Sequence, residues 1–143
     1  MPSVPFHYVD LRAFCYVTED DRRVAAALGT FLPEECEVNR VSSEGHYGDR
    51  IVVLSARVET ADDVRAVLGR VGDLPEETLE RVRSELDERV DENCSLFLTF
   101  DKQAAYNGTV ELGDGITLRG KVEAYPANQE AAVENAREAF ADL

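Results

Sequence analysis

Lysine is almost missing from this sequence. Lys102 and Lys121 are the only two in 143 residues, so thirteen of the fifteen basic side chains are arginine. His7 and His46 are the only histidines and stand far apart, so no ligand-spaced cluster forms and neither a metal nor another cofactor is expected. Cys15, Cys36 and Cys94 are odd in number, widely separated and without a CxxC pair. That argues against a disulfide framework or a zinc site and makes them small buried hydrophobes. No apolar run approaches the ~18 residues of a membrane helix. No basic–apolar–small signal opens the chain, so a cytoplasmic protein with no membrane partner is expected.

Catalytic signatures are equally sparse. Ser42 or Ser43 with His46 and Asp49 would have to act from one turn, with no strained elbow and no visible oxyanion donors. Asp101 beside Lys102 has the chemistry for acid–base work, but a helix cap and a solvated lysine are the commoner roles for such a pair. There is no GxxxxGK[ST] loop, and the glycines at 113, 115 and 120 belong to a hairpin and a strand. The expectation is a protein that is not an enzyme.

What is present is acid and a regular apolar pattern. Twenty-nine acidic residues give a net charge of −14, while an apolar fraction of 44% supports a packed core. The length suits one α+β domain over residues 1–143. Phe6–Val17 alternates as a long strand, with Val9, Leu11, Ala13 and Cys15 on one face and Tyr8, Asp10, Arg12 and Phe14 on the other. Thr18 and Asp21 resemble a capping box for a helix striped with Val24, Ala27, Leu28, Phe31 and Leu32, which Pro33 ends. Cys36–Ser43 and Arg50–Val58 form a hairpin closed by a glycine-containing turn. Thr60 caps the next helix, striped with Val64, Val67, Leu68 and Val71. A further helix from Pro75 buries Leu79, Val82, Leu86 and Val90. Ser95–Phe100 alternates as a strand and runs into a short polar helix capped by Asp101. Asp114-Gly115 turns a short strand at Thr109–Leu112 into a long one at Ile116–Tyr125. A last helix follows Pro126, carrying Val133, Ala136 and Phe140. The order describes a mostly antiparallel or mixed sheet with helices packed on one face.

The acid sits on the helices. Residues 59–92 carry a net charge of −7 and residues 127–143 a net charge of −3, whereas residues 36–58 balance and residues 95–126 carry only −1. Two basic surfaces follow. The outward sheet face would show Arg12, Arg57, Arg119 and Lys121 among Tyr8, Phe14, Tyr16, Phe97 and Tyr125, a mixture suited to stacking unpaired bases. The same face carries Ile51 and Val53, and periodicity alone favours its burial by a second copy, a homodimer, or by the chain itself. The second surface gathers His46, Tyr47 and Arg50 at the hairpin turn with Lys102, Gln103 and Tyr106 at the short helix, where the helix start favours a phosphate. Against that, Asp101 caps those amides, Tyr106 joins the core and Lys102 is solvated.

Two segments carry a resemblance. FLTFDKQAAYNG (Phe97–Gly108) resembles the most characteristic block of an archaeal family described as RNA-binding and as a predicted exosome subunit. EGHYGDRI (Glu44–Ile51) is similar to that family's turn, which commonly reads Gly-His-x-Gly-Asn-Pro-Ile; this chain has Asp49-Arg50 in place of Asn-Pro. The opening strand and the length match as well. The resemblance implies a ribosomal protein L5-like α+β fold and an RNA partner. It also implies a place in archaeal RNA processing or exosome-linked decay, in an RNA-processing complex. The expected RNA-binding set is Arg12, His46, Tyr47, Arg50, Lys102, Gln103, Tyr106, Arg119 and Lys121. The alternative is a protein-interaction or dimerisation module that never touches RNA.

An acidic, lysine-poor surface fits a halophilic protein working in concentrated salt, where the Debye length shrinks to about 3 Å at 1 M. The melting temperature is therefore expected to rise steadily across a potassium chloride series. Full stability in dilute buffer would remove that reading.

Overall fold

A strand with two hydrogen-bonded neighbours can bury one row of side chains and must turn the other row the opposite way. The computed structural model describes residues 5–16, 18–44, 50–141 and 143, and its organising element is such a strand. β1 (Phe6–Cys15) lies at the centre of a five-stranded sheet of order β2-β3-β1-β5-β4, every pairing antiparallel. The others are β2 (Asn39–Glu44), β3 (Arg50–Val58), β4 (Ser95–Asp101) and β5 (Gly115–Val122). In the register, Ala56, Leu11, Leu118 and Leu98 form one cross-strand row of the inner face. Leu54, Ala13, Ile116 and Phe100 form the next, and all eight are buried. The small Ala13 and Ala56 let helices approach closely.

Six helices among the described residues cover that inner face. They are α1 (Asp21–Gly29), α2 (Ala61–Val71), α3 (Glu76–Ser84), α4 (Leu86–Arg89), α5 (Lys102–Tyr106) and α6 (Gln129–Ala141). Each longer helix turns an apolar stripe to the sheet: Val24, Ala27 and Leu28 from α1, Val64, Val67, Leu68 and Val71 from α2, Ala132, Val133, Ala136 and Phe140 from α6. Phe31, in the turn after α1, packs on Phe100 with ring centroids 4.7 Å apart. The α+β class with helices on one face is as the sequence indicates. No helix among the described residues is long and apolar enough to cross a membrane.

Several boundaries differ. The first strand ends at Cys15, and Val17 lies outside the described residues. The cap of α1 is Asp20, which accepts from Arg22 N at 2.9 Å, in place of Thr18. α1 stops at Gly29, short of Pro33, with Thr30 as a helical C-cap that donates its N–H to the Ala26 carbonyl and its hydroxyl to the Ala105 carbonyl at 2.6 Å. β2 starts at Asn39, not Cys36, since Cys36 N closes a turn onto the Pro33 carbonyl at 3.0 Å. The helix from Pro75 breaks at Glu85, yet Leu86 and Val90 are buried as their spacing requires. Thr109–Leu112 is not a strand: Leu112 makes a single bridge to Phe100, because β4 already pairs with β5 over its whole length. β5 itself ends at Val122, ahead of Tyr125.

Two glycines belong to the corner where β4, α5 and β5 meet. Gly113 N donates to the Thr99 carbonyl at 3.1 Å, and a Cβ at Gly113 would stand 2.8 Å from the Asp101 Cβ. Gly115 has φ +117°, and its Cβ would come within 2.6 Å of the Lys102 Cβ. Gly115→Ala therefore combines left-handed strain with a clash and should cost about 1–3 kcal/mol. Urea denaturation checks it, and an unchanged midpoint would show that the corner yields freely.

Candidate nucleic-acid interface

The outer face of the sheet is open along all the described strands. β1 alternates buried and exposed residues, and among the described residues no helix lies over Asp10, Arg12 or Phe14. Cross-strand register sets what the face displays. Arg57 on β3, Asp10 on β1, Arg119 on β5 and Phe97 on β4 form one row. Two residues along each strand, Asn39, Ser55, Arg12, Thr117 and Thr99 form the next. The third row opens with Val41, Val53 and Phe14. The first two rows enclose a shallow concavity of about 510 Å³.

Asp10 is the electrostatic centre of this face. Arg57 donates to it at 2.6 and 3.1 Å and Arg119 at 2.7 Å. Burial alone would raise the Asp10 carboxyl, but the hydrogen bonds and charges of the two arginines outweigh it and hold the pKa below the ordinary value. The same pairing with Asp10 raises Arg57. The Arg57 guanidinium lies 3.9 Å from the Tyr8 ring centroid, within cation–π range. Arg12 differs: among the described residues it has no ion pair, and its guanidinium stands 5.6 Å from the Phe14 centroid, facing solvent. Phe14 and Phe97 keep 41% and 39% of their surface exposed, enough to stack on.

The sequence-derived set is thus divided. Arg12 and Arg119 come together on the open face, with Arg57, Asp10, Asn39 and Ser55 as neighbours absent from that set. The alternation of β3 did turn Arg57 outward, but no pattern within one strand shows that Asp10 would tie Arg57 to Arg119. Lys121 faces the same way two residues beyond Arg119 on β5, and its ammonium donates to the Asn93 carbonyl. His46 and Tyr47 lie outside the described residues. Arg50 stands at the helix side of the sheet end, lining a small cavity with Glu19, Asp20 and Asp21, surroundings that disfavour a phosphate.

The short-helix surface is corrected most. Lys102 is not solvated. Its ammonium donates to both Glu19 carboxylate oxygens, at 2.8 and 2.7 Å, and to the Phe14 carbonyl at 3.0 Å. Asp101 does cap the helix, accepting from Ala104 N at 2.8 Å, and α5 is only five residues long. Tyr106 is 40% exposed rather than core, with the Arg23 guanidinium 5.3 Å from its ring centroid. Gln103 and Tyr106 share a cleft of about 610 Å³ in which Lys102 and Arg23 face Glu19, Asp20, Asp101 and Asp114. Excess carboxylate and a satisfied helix start make this a poor phosphate site. Lys102 is a structural clamp joining α5, the end of β1 and the approach to α1. Among the described residues no group of three or more His, Cys, Asp or Glu is placed to hold a metal ion.

Fold and face together define a helix-backed α+β domain with a solvent-open antiparallel sheet bearing arginines and aromatic rings. The chain belongs to the RNA-binding family: the family model described as RNA binding matches residues 8–122, from Tyr8 to the end of β5. Relatives extend the match over nearly all of the chain. RNA-binding protein PAB1135 of Pyrococcus abyssi is 35% identical over 141 residues, covering 92% of each chain. Among solved structures, AF2318 from Archaeglobus fulgidus superposes with a TM-score of 0.83 at 31% identity, over 94% of this chain and 99% of that one. Mth689, a DUF54 protein from Methanothermobacter thermautotrophicus, gives a TM-score of 0.76 at 38% identity, over 94% and 98%.

The Lys102 clamp has a measurable acid signature. Burial alone would raise the Glu19 carboxyl, but its bond to Lys102 outweighs that and lowers it below 4.5. A depressed carboxylate contributes stability that is complete above 4.5 and is lost as pH falls through the lowered value. Lys102→Met should therefore lower stability at pH 7 by about 1–2 kcal/mol and flatten the acid limb below pH 4.5. Denaturation at several pH values reads both, and an unaltered acid limb would mean that Glu19 does not depend on Lys102.

Proposed function

We propose that the chain is a non-catalytic RNA-binding accessory protein that receives RNA on the open sheet face. The observation that carries this reading is the row Arg57–Asp10–Arg119–Phe97, bordered by Arg12 and Phe14, on a face uncovered by the chain's own described elements. Family membership supports RNA as the partner, and residues 8–122 contain nearly all of this face. The helical side, with exposed Glu76, Glu77, Glu80 and Glu88, repels a phosphate backbone and leaves the sheet as the side of approach. Stacking and hydrogen bonding dominate over net charge, which suits a chain at −14. We read the biological setting as archaeal RNA processing or exosome-linked decay, within a larger RNA-processing complex; the relatives named above come from archaea, which supports an archaeal setting.

A second reading is favoured by one observation. Val41, Val53 and Phe14 form an apolar row at the β2 end of the same face, with Val41 60% exposed. Such a row suits a protein partner or a second copy, and molar mass in concentrated salt separates dimer from monomer.

Arg12→Ala combined with Arg119→Ala should lower RNA affinity by roughly tenfold or more, as loss of two charge-assisted contacts does. Surface ion pairs of the Arg119 kind contribute about 0–1 kcal/mol, so the melting temperature should barely move. Because few phosphates are engaged, log affinity should fall gently with log salt, by about 0.7 per contact on a single strand. Fluorescence anisotropy with single-stranded and structured RNA makes the measurement. Undiminished binding by the double variant would remove the sheet face as the site.

A further inference from the structure

A carboxylate at the meeting point of two arginines is a poor neighbour for a phosphate. The Asp10 Oδ1 accepts from Arg57 Nε at 2.6 Å, while Oδ2 accepts from Arg57 Nη2 at 3.1 Å and Arg119 Nη2 at 2.7 Å. A two-pronged guanidinium–carboxylate pair uses the geometry by which arginine would grip a phosphate. Asp10 already occupies the anion position of both arginines, and an incoming phosphate would meet a like charge there. The same bonds hold the guanidinium planes in place, with Arg57 and Arg119 at 3.9 and 5.8 Å from the Tyr8 centroid. A planar, weakly hydrated guanidinium stacks well on a neutral ring.

Above this row lies the concavity of about 510 Å³, within the ~300–1,000 Å³ of sites that take one small ligand. Phe97 borders it on one side and Asn39, Ser55 and Arg12 on another. We propose that the concavity is a subsite for one unpaired nucleobase, with Asp10 as the built-in anion that turns Arg57 and Arg119 from phosphate towards the base. This rests on the RNA reading above and narrows it to single-stranded RNA recognised at a base. A base is neutral, so Asp10 does not repel it. Its face stacks on Phe97 or on the Arg119 guanidinium beside it, and its edge meets the Thr117 hydroxyl on the neighbouring strand. The exposed Arg12 is left to take the adjoining phosphate. Paired bases in a duplex offer neither a free face nor a free Watson–Crick edge. Because the arginines keep the Asp10 carboxyl low, the anion persists through neutral and mildly acidic pH.

The decisive comparison uses the full chain with two labelled probes, a short single-stranded RNA of mixed sequence and an abasic ribose-phosphate strand of equal length. The wild-type protein should bind the RNA at least about tenfold more tightly than the abasic strand. Asp10→Asn removes the anion, so binding to the abasic strand should rise and the ratio between probes should collapse. Phe97→Ala should weaken RNA binding while leaving the abasic strand unaffected, and it decides the matter if Asp10→Asn fails to fold. Equal wild-type affinity for the two probes overturns the subsite and leaves the RNA reading standing. So does an unchanged ratio in folded Asp10→Asn, or RNA binding undiminished in Phe97→Ala. If the folded wild-type chain binds neither probe nor a duplex, the RNA reading itself fails and the subsite with it.

Discussion

The period-two geometry of the central strand is the constraint on which the rest depends. β1 has hydrogen-bonded neighbours on both sides, so its residues cannot rotate out of register without breaking two ladders. That commits Val9, Leu11, Ala13 and Cys15 to the core and Tyr8, Asp10, Arg12 and Phe14 to the opposite side. Helices α1 and α2 pack against the first set. No helix among the described residues covers the second, and the chemistry left on display is where function must be sought. An antiparallel sheet tolerates one wet face, which is why the fold is stable with this surface open.

The two charged centres of the molecule do different work because they meet different neighbours. At the sheet end, Lys102 is held by Glu19 and the Phe14 carbonyl, 19% exposed, and its role is to tie three elements together. At the sheet centre, Asp10 is held by Arg57 and Arg119 on strands either side of it. Those side chains remain at the solvent boundary, so their planes and remaining donors are available to a ligand. Lys102 belongs to the expected RNA-binding set. Tertiary contacts made it a fastener, and the arginine row took the exposed position.

Much of the fold was legible in residues taken singly or in short runs. The β3 bounds Arg50–Val58, the stripes of α2 and α6, and the Asp101 cap all follow from local periodicity and hydrogen-bonding chemistry. Some differences are local, such as Asp20 in place of Thr18 as the α1 cap, and others follow from a distant pairing. Thr109–Leu112 finds its strand position already filled by the β4–β5 pairing. Of the candidate site, Arg12 and Arg119 were legible from alternation. Arg57 was visible on the same face, and Asp10 was visible only as an outward residue.

By itself, then, the sequence determined which face of each strand is apolar, which helices are acidic, and where most turns fall, because these depend on neighbours within a few residues. Only the tertiary structure decided which outward residues stand side by side. Strand order and register are set by pairings between segments as distant as Asp10 and Arg119. A shift of one residue in either pairing would have parted Asp10 from its arginines, since side chains on a strand change face at every step.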